Sequence, residues 1–271
     1  MQAQITLQPY DEPGKSGTKS IVFEYEETDP NNRNAAPKKV KKEFDIQEGN
    51  PFNKLGYMQK GEGKFGNKVY GLSKNDIARI KSDFNLRDEF RISESAYLTS
   101  FHQVKTQGDF ATISYMSIIK SEGDIVEEAR SSSILILDKK GKEFFRLDNL
   151  PHDVFSLVIS GNGKYVAFAS GEHLEHSTFS SEPMIHIYNT DNKTIYYQEN
   201  AEPTIIGFLH QTISIGVFCD EGRKSIFLDQ NNGYMYEKLI ESEGSLFMKG
   251  YNEFIYRNDQ ELTFSDFTKI K

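Results

Sequence analysis

"VFSLVISGNGKYVAFASG", residues Val154–Gly171, is the stretch that decides the fold class. It holds two apolar runs, Phe155–Ile159 and Tyr165–Ala169, separated by Gly161-Asn162-Gly163. Asn-Gly between apolar runs is a hairpin signature, because both residues tolerate positive φ. After a polar stretch, "MIHIYNTDNKTIYYQEN" supplies Met184–Tyr188 and Thr194–Gln198, joined across Asn189-Thr190-Asp191-Asn192. Four short runs rich in β-branched and aromatic residues therefore follow one another, each bounded by turn formers.

The same group recurs on both sides. Upstream, "YLTSF", "FATISYMSI", "SSILILDKKG" and "KEFFRLDN" occupy Tyr97–Asn149. Downstream, "TIIGFL", "TISIGVFCD", "KSIFLDQNNG" and "YMYEKL" occupy Thr204–Leu239. A last group, "SLFMKG", "EFIYRND" and "ELTFSDF" over Ser245–Phe267, lacks its fourth strand. The third run ends alike each time, at Asp138, Asn189, Asp229 and Asp266. Repeats of roughly 40–50 residues with four strands each point to propeller blades.

"SGNGKYVAFAS" resembles the Ser-x-Asp-Gly-Lys-Tyr-Ile-Ala turn and strand of WD-repeat-like propellers. "ILDKKGKEFFRL" and "FLDQNNGYMYEKL" are similar to their Trp-Asp-x-x-x-Gly-Lys stretch. The resemblance covers about Tyr97 to the end of the chain. The chain departs from the pattern in having no Trp, no Gly-His pair opening a repeat, and Asn162 where Asp is usual. The resemblance implies a divergent propeller scaffold and no particular activity.

Residues 1–90 are less regular. Lys19–Glu27 and Lys38–Ile46 alternate as two strands around a polar loop, and Leu55–Gln59 and Lys68–Leu72 read as two more. Ser73–Phe84 fits a helix with Ile77, Ile80 and Phe84 on one side, or a strand ending in a loop. The expected fold is all-β: a single propeller-like domain over 1–271, of about five or six four-stranded blades. Its clearest repeats lie in 95–271. An N-terminal strand is expected to complete the last blade, since closure removes exposed sheet edges. The alternative is an N-terminal β-sandwich followed by an open sheet stack.

Composition narrows the function classes. The 271 residues carry a formal net charge of −8, which disfavours a nucleic-acid binder relying on general electrostatics and an anionic membrane surface. No apolar segment approaches a membrane span and the first residues do not read as a secretion signal. With Cys219 as its one cysteine the chain has no intrachain disulfide, so a cytoplasmic setting is expected. Cys219 follows an apolar strand and reads as half-buried and unreactive.

"GEGKFGNKV" (Gly61–Val69) contains G-x-G-x-x-G, the pattern of a kinase phosphate loop. A kinase also needs a V-A-I-K lysine, an H-R-D loop and D-F-G, none of which follows. The glycines read instead as a turn between two strands. "GEHLEH" places His173 and His176 three apart, weak candidates for a metal site, but zinc motifs on helices use other spacings. "KKVKK" (Lys38–Lys42) reads as a solvated or charged-edge strand rather than a targeting patch. No cofactor is expected.

In a propeller, second-to-third-strand loops share one face. Here "KSEGDIVEEARSS" and "GEHLEHSTFSSEP" are long, and they carry Glu122, Asp124, Glu127, Glu128, Glu172, Glu175 and Glu182. Long loops on a rigid scaffold commonly bind. The expected function is a non-enzymatic protein-binding scaffold (adaptor, assembly subunit or inhibitor) that captures a basic protein partner on these acidic loops. One alternative is a propeller hydrolase or lyase with a channel active site, which needs titratable groups such as His102 or His210 on inner strands. Another is a structural β protein of a virion or secretion assembly.

Overall fold

The computed structural model describes residues 3–32, 35–54, 58–60, 67–69, 72–92, 97–122, 128–173, 180–219, 222–241 and 244–271. They form two compact units, Met1–Asp153 and Val154–Lys271. Both are built from antiparallel sheets, so the chain is all-β as expected, with two α-helices among the described residues, both in the first unit.

The first unit opens with a meander of β1 (Gln4–Pro9), β2 (Thr18–Glu27) and β3 (Lys38–Asp45). Opposite charges face one another across it: Lys38, Lys39 and Lys41 pair with Glu27, Glu26 and Glu24. Lys41 Nζ lies 3.5 Å from Glu24 Oε1. The lysine-rich strand is therefore an edge strand whose charge is matched by its neighbour, as a structural reading of "KKVKK" requires. A short helix α1 (Ile46–Gly49) follows, then β4 (Met58–Lys60) and β5 (Asn67–Val69). These two pair antiparallel from Met58↔Val69 to Lys60↔Asn67. The glycine-rich segment 61–66 joins this hairpin but lies outside the described residues.

Ser73–Phe84 resolves as helix α2 (Lys74–Asp83). Ser73 Oγ accepts from the Asp76 N–H, and the Asp76 carboxylate accepts from the Ser73 N–H. This reciprocal cap satisfies orphan donors of the first turn and favours helix over strand. Ile80 and Phe84 are buried. The large sheet continues through β6 (Tyr97–Gln107), β7 (Phe110–Lys120), β8 (Glu128–Asp138) and β9 (Glu143–Leu150), giving the order β4-β5-β6-β7-β8-β9. One core joins both sheets and α2, including Phe23, Ile80, Ile113, Tyr115 and Leu137. Tyr115 is buried there; its hydroxyl donates to the Ile46 carbonyl at 3.1 Å, and burial pushes its pKa up.

The second unit begins with β10 (Asp153–Ile159, whose first residue belongs to the other unit), β11 (Tyr165–His173), β12 (Ser180–Asn189) and β13 (Thr194–Asn200), a four-stranded meander. The β10–β11 turn is organised by side chains. Asn162 Oδ1 accepts from the Lys164 N–H at 3.0 Å. Asn162 Nδ2 donates to the Gln230 carbonyl at 3.1 Å. Aspartate at this position could accept but not donate, which accounts for asparagine here. Next come β14 (Pro203–Leu209), β15 (Thr212–Cys219), β16 (Gly222–Asp229) and β17 (Met235–Ile240). The two sheets share a core that includes Ala167, Ile187, Ile215 and Met235.

The Asp or Asn ending each third strand has one job in three of the four groups. Asp138, Asn189 and Asp229 each accept, through Oδ1, from the N–H two residues ahead. That Asx turn starts the hairpin to the fourth strand. Asp266 differs. Phe264–Asp266 is a 3₁₀ turn, and the Asp266 carboxylate accepts from Thr263 N at 2.8 Å.

The last sheet has three strands, β18 (Phe247–Gly250), β19 (Glu253–Tyr256) and β20 (Gln260–Leu262). Phe227, Phe254, Phe264 and Phe267 pack it in an aromatic cluster; Phe254 and Phe267 lie 4.7 Å apart between ring centroids. The expected completion of this sheet by an N-terminal strand is corrected. Among the described residues β1 pairs with β2 alone, because Ile5 and Leu7 pack onto the core of the first unit. The chain instead adds β21 (Thr268–Lys269) to β17, and Lys269 Nζ sits 3.0 Å from the centroid of Tyr234. The described strands form separate open sheets rather than one closed one.

Candidate functional site

The acidic loop residues are placed as follows. Glu122 is exposed. Glu128 opens β8, with Lys120 Nζ at 2.6 Å and Arg130 Nη2 at 3.4 Å. The Lys120 contact is the main cause holding its carboxyl below the usual range. Arg130 also reaches Asp153 at 2.7 Å. Glu172 and His173 lie on β11 and Glu182 on β12, where the backbone is described. Asp124, Glu127, Glu175 and His176 lie outside the described residues. Among the described residues no group of three or more His, Cys, Asp or Glu side chains is arranged to hold a metal ion.

The two histidines proposed for a channel site sit elsewhere. His102 Nε2 donates to the Thr18 carbonyl at 3.1 Å, tying β6 to β2. Burial lowers its pKa, opposed by that bond. His210 has φ +47 and, with Gln211, makes the exposed β14–β15 turn. Cys219 is exposed, which corrects the half-buried expectation: it ends β15 and lines a groove of about 460 Å³ with Lys224 and Glu237. The apolar run that precedes it does not extend its burial to the strand's last residue.

Sequence reasoning missed a contact that couples a nucleophile type to a base type. Ser170 Oγ and His186 Nε2 are 2.9 Å apart. They come from neighbouring strands as a diagonal pair, since Phe168 stands opposite His186 and Ser170 opposite Met184. The imidazole stacks on Phe168 at 4.5 Å and 20°, which sets the ring plane. Ser170 is 4% exposed, and a hydroxyl so buried needs a hydrogen-bond partner in any case.

The strand is irregular just beyond. Ser170 pairs with Met184 but Glu172 pairs with Ser181, so Gly171 falls at a bulge opposite Glu182 and Pro183. Pro183 has no N–H to give the ladder. Bulges re-aim side chains and recur next to active sites. The signal in the sequence was a serine and a histidine separated by 15 residues, too common a pairing to single out without the strand register.

The chain matches no protein-family model and no curated protein. Solved structures similar to it include two from Pyrococcus. One is the β-propeller domain of the Trilobed protease from Pyrococcus furiosus, with 14% identity and TM-score 0.34, covering 59% of this chain and 48% of that one. The other is Pyrococcus horikoshii acylaminoacyl peptidase, with 12% identity and TM-score 0.31, covering 65% and 34%. The chain thus spans about half or less of these solved chains. Both are peptidase chains, which corrects the expectation of a non-enzymatic scaffold: the similarity falls on the side of the hydrolase alternative. At these identities and TM-scores it assigns this chain neither activity nor substrate.

Proposed function

We propose that the chain is a divergent propeller-type hydrolase, cytoplasmic, with Ser170 as nucleophile and His186 as general base. The successive four-stranded meanders support the propeller part of this reading. The 2.9 Å contact between Ser170 Oγ and His186 Nε2 carries the chemistry. With Nε2 unprotonated, the imidazole accepts the hydroxyl proton as Oγ attacks an acyl carbon. The same proton then goes to the leaving group, and water hydrolyses the acyl-serine. Stacking on Phe168 holds the ring for both transfers. The N–H of Gly171, next in the chain and outside the ladder register, is the donor assigned to the oxyanion. With Ser170 so nearly buried, a small acyl group is the favoured substrate class.

The test is labelling by a small fluorophosphonate, read by intact mass, alongside p-nitrophenyl acetate turnover. One adduct on Ser170, lost in Ser170→Ala and strongly slowed in His186→Gln, is the expected result. No adduct on the native protein, or an adduct that survives Ser170→Ala, overturns the assignment.

A further inference from the structure

Asparagine loses its amide most readily before glycine, because no side chain screens the glycine nitrogen from the asparagine carbonyl carbon. The chain has two such pairs, Asn162-Gly163 in the β10–β11 turn and Asn232-Gly233 in the β16–β17 turn. Asn232 is exposed, so water reaches it, but its amide is held at both ends. Nδ2 donates to Asp229 Oδ2 at 2.7 Å, and Oδ1 accepts from the Tyr234 N–H at 2.7 Å. The Gly233 N–H is committed too, donating to the Asp229 carbonyl at 2.9 Å.

The surroundings leave this turn little tolerance. Gly233 has φ +76, and a Cβ built there meets the Tyr165 hydroxyl at 2.5 Å and the Tyr196 hydroxyl at 3.2 Å. Tyr196 also donates its hydroxyl to the Gly233 carbonyl. Asp229 is 1% exposed. Its Oδ2 accepts from the Tyr251 hydroxyl at 2.7 Å as well as from Asn232. The buried carboxylate therefore depends on donors, and the Asn232 amide is one of them.

We propose that Asn232 is a one-way modification site: its amide survives while the β16–β17 turn is closed, is lost when the turn opens, and leaves a product that cannot close the turn again. In the open turn the Gly233 nitrogen attacks Cγ of Asn232. A new N–Cγ bond forms, the Cγ–Nδ2 bond breaks, and Nδ2 leaves as ammonia carrying the proton lost by Gly233. Water then opens the succinimide at either carbonyl, giving aspartate or isoaspartate. Aspartate turns a donor into a second carboxylate beside Asp229, so like charges meet where one is already buried. Isoaspartate lengthens the backbone by a methylene beneath Tyr165 and Tyr196, where a single Cβ already has no room. Asn162 is the milder case. Its Nδ2 donates to the neutral Gln230 carbonyl at 3.1 Å, so aspartate there loses a hydrogen bond without adding a charge to a buried one. The proposal uses neither Ser170 nor His186.

The experiment follows amide loss by peptide mass mapping at neutral pH, on the chain folded in buffer and unfolded in urea. In urea Asn232 should lose its amide about as fast as Asn162, since nothing then holds either. In the folded chain the loss at Asn232 should slow by about tenfold or more, the suppression given by ~1.4 kcal/mol of turn closure. Equal rates folded and unfolded, or no loss at Asn232 in urea, overturn the proposal. Variants read the product. Asn232→Asp should lower the urea midpoint more than Asn162→Asp does. In an Asp229→Asn background the penalty of Asn232→Asp should shrink, because the amide then donates from the other side of the pair. Should Asn232→Asp alone fail to fold by circular dichroism, the double variant should recover the fold. An Asn232→Asp midpoint equal to wild type, or a penalty undiminished in the Asp229→Asn background, overturns it.

Discussion

Replacing Gly141 by alanine should destabilise the first unit far more than replacing Gly108. Gly141 sits in the β8–β9 turn with φ +66, and its N–H donates to the Asp138 carbonyl at 2.8 Å. A Cβ built there meets Phe23 Cδ2 at 2.7 Å and Cε2 at 3.0 Å. Phe23 is fully buried and cannot swing aside. Left-handed backbone costs a non-glycine residue about 1–2 kcal/mol. Overpacking a filled core adds about 1–3 kcal/mol. The stiffer unfolded chain returns about 0.4–1 kcal/mol. Gly141→Ala should therefore lose about 2–4 kcal/mol. Gly108 has φ +56 and nothing within 4 Å of a built Cβ, so Gly108→Ala carries the backbone cost alone, about 1 kcal/mol or less after the unfolded-state return. The difference between the two variants isolates the clash with Phe23. The chain has no Trp, so urea unfolding is best followed by far-ultraviolet circular dichroism and tyrosine fluorescence. If the Gly141 variant lies within about 0.5 kcal/mol of the Gly108 variant, the packing of the turn on Phe23 is refuted. A Phe23→Leu background should shrink the Gly141→Ala penalty, because the two changes share one contact.

Ser117, Ser131, Ser132 and Ser133 are buried on β7 and β8, and among the described residues their hydroxyls have no hydrogen-bond partner. Ser117 and Ser131 stand opposite one another, so the double change to alanine should stabilise by about 1–3 kcal/mol, read as a higher urea midpoint at constant slope; a lower midpoint contradicts the orphaned hydroxyls. His102 has its pKa lowered by burial, so the unfolded chain binds its proton first and stability falls as pH drops below about 6.5. Above that value the stability is fully present. His102→Gln should flatten the decline between pH 7 and 5, and an equal decline in both proteins counts against it. Cys219 should react with a disulfide exchange reagent in the native protein without denaturant, and protection until unfolding contradicts its exposure.

Much of the fold was legible because its signals are local. The Val154–Gly171 hairpin is written in residues that are neighbours in sequence: apolar runs on either side of an Asn-Gly turn. The strands of the groups Tyr97–Asn149, Met184–Gln198 and Thr204–Leu239 follow the same logic. The Asp and Asn residues at strand ends were visible as a repeat, and their Asx turns explain three of the four. The fourth failed because Asp266 caps a 3₁₀ turn, a difference the side-chain type does not encode. Ser73–Phe84 stayed ambiguous between helix and strand until the cap formed by Ser73 and Asp76 decided it.

The candidate site was illegible for the opposite reason. Nothing in the sequence distances Ser170 from other serines or His186 from the other histidines. Their contact depends on β11 and β12 pairing in one register, with Phe168 opposite His186. A slip of one residue would turn every side chain to the other face. The same holds for the Asn232 turn, where Tyr196 and Gly233 are brought together by sheet packing across 36 intervening residues. The sequence by itself determined that this chain makes successive antiparallel hairpins, since turn chemistry and alternation act over a few residues. Only the tertiary structure decided which sheet keeps a free edge, where β1 and β21 attach, and which serine meets a histidine. Those outcomes rest on long-range register and burial, which local composition does not specify.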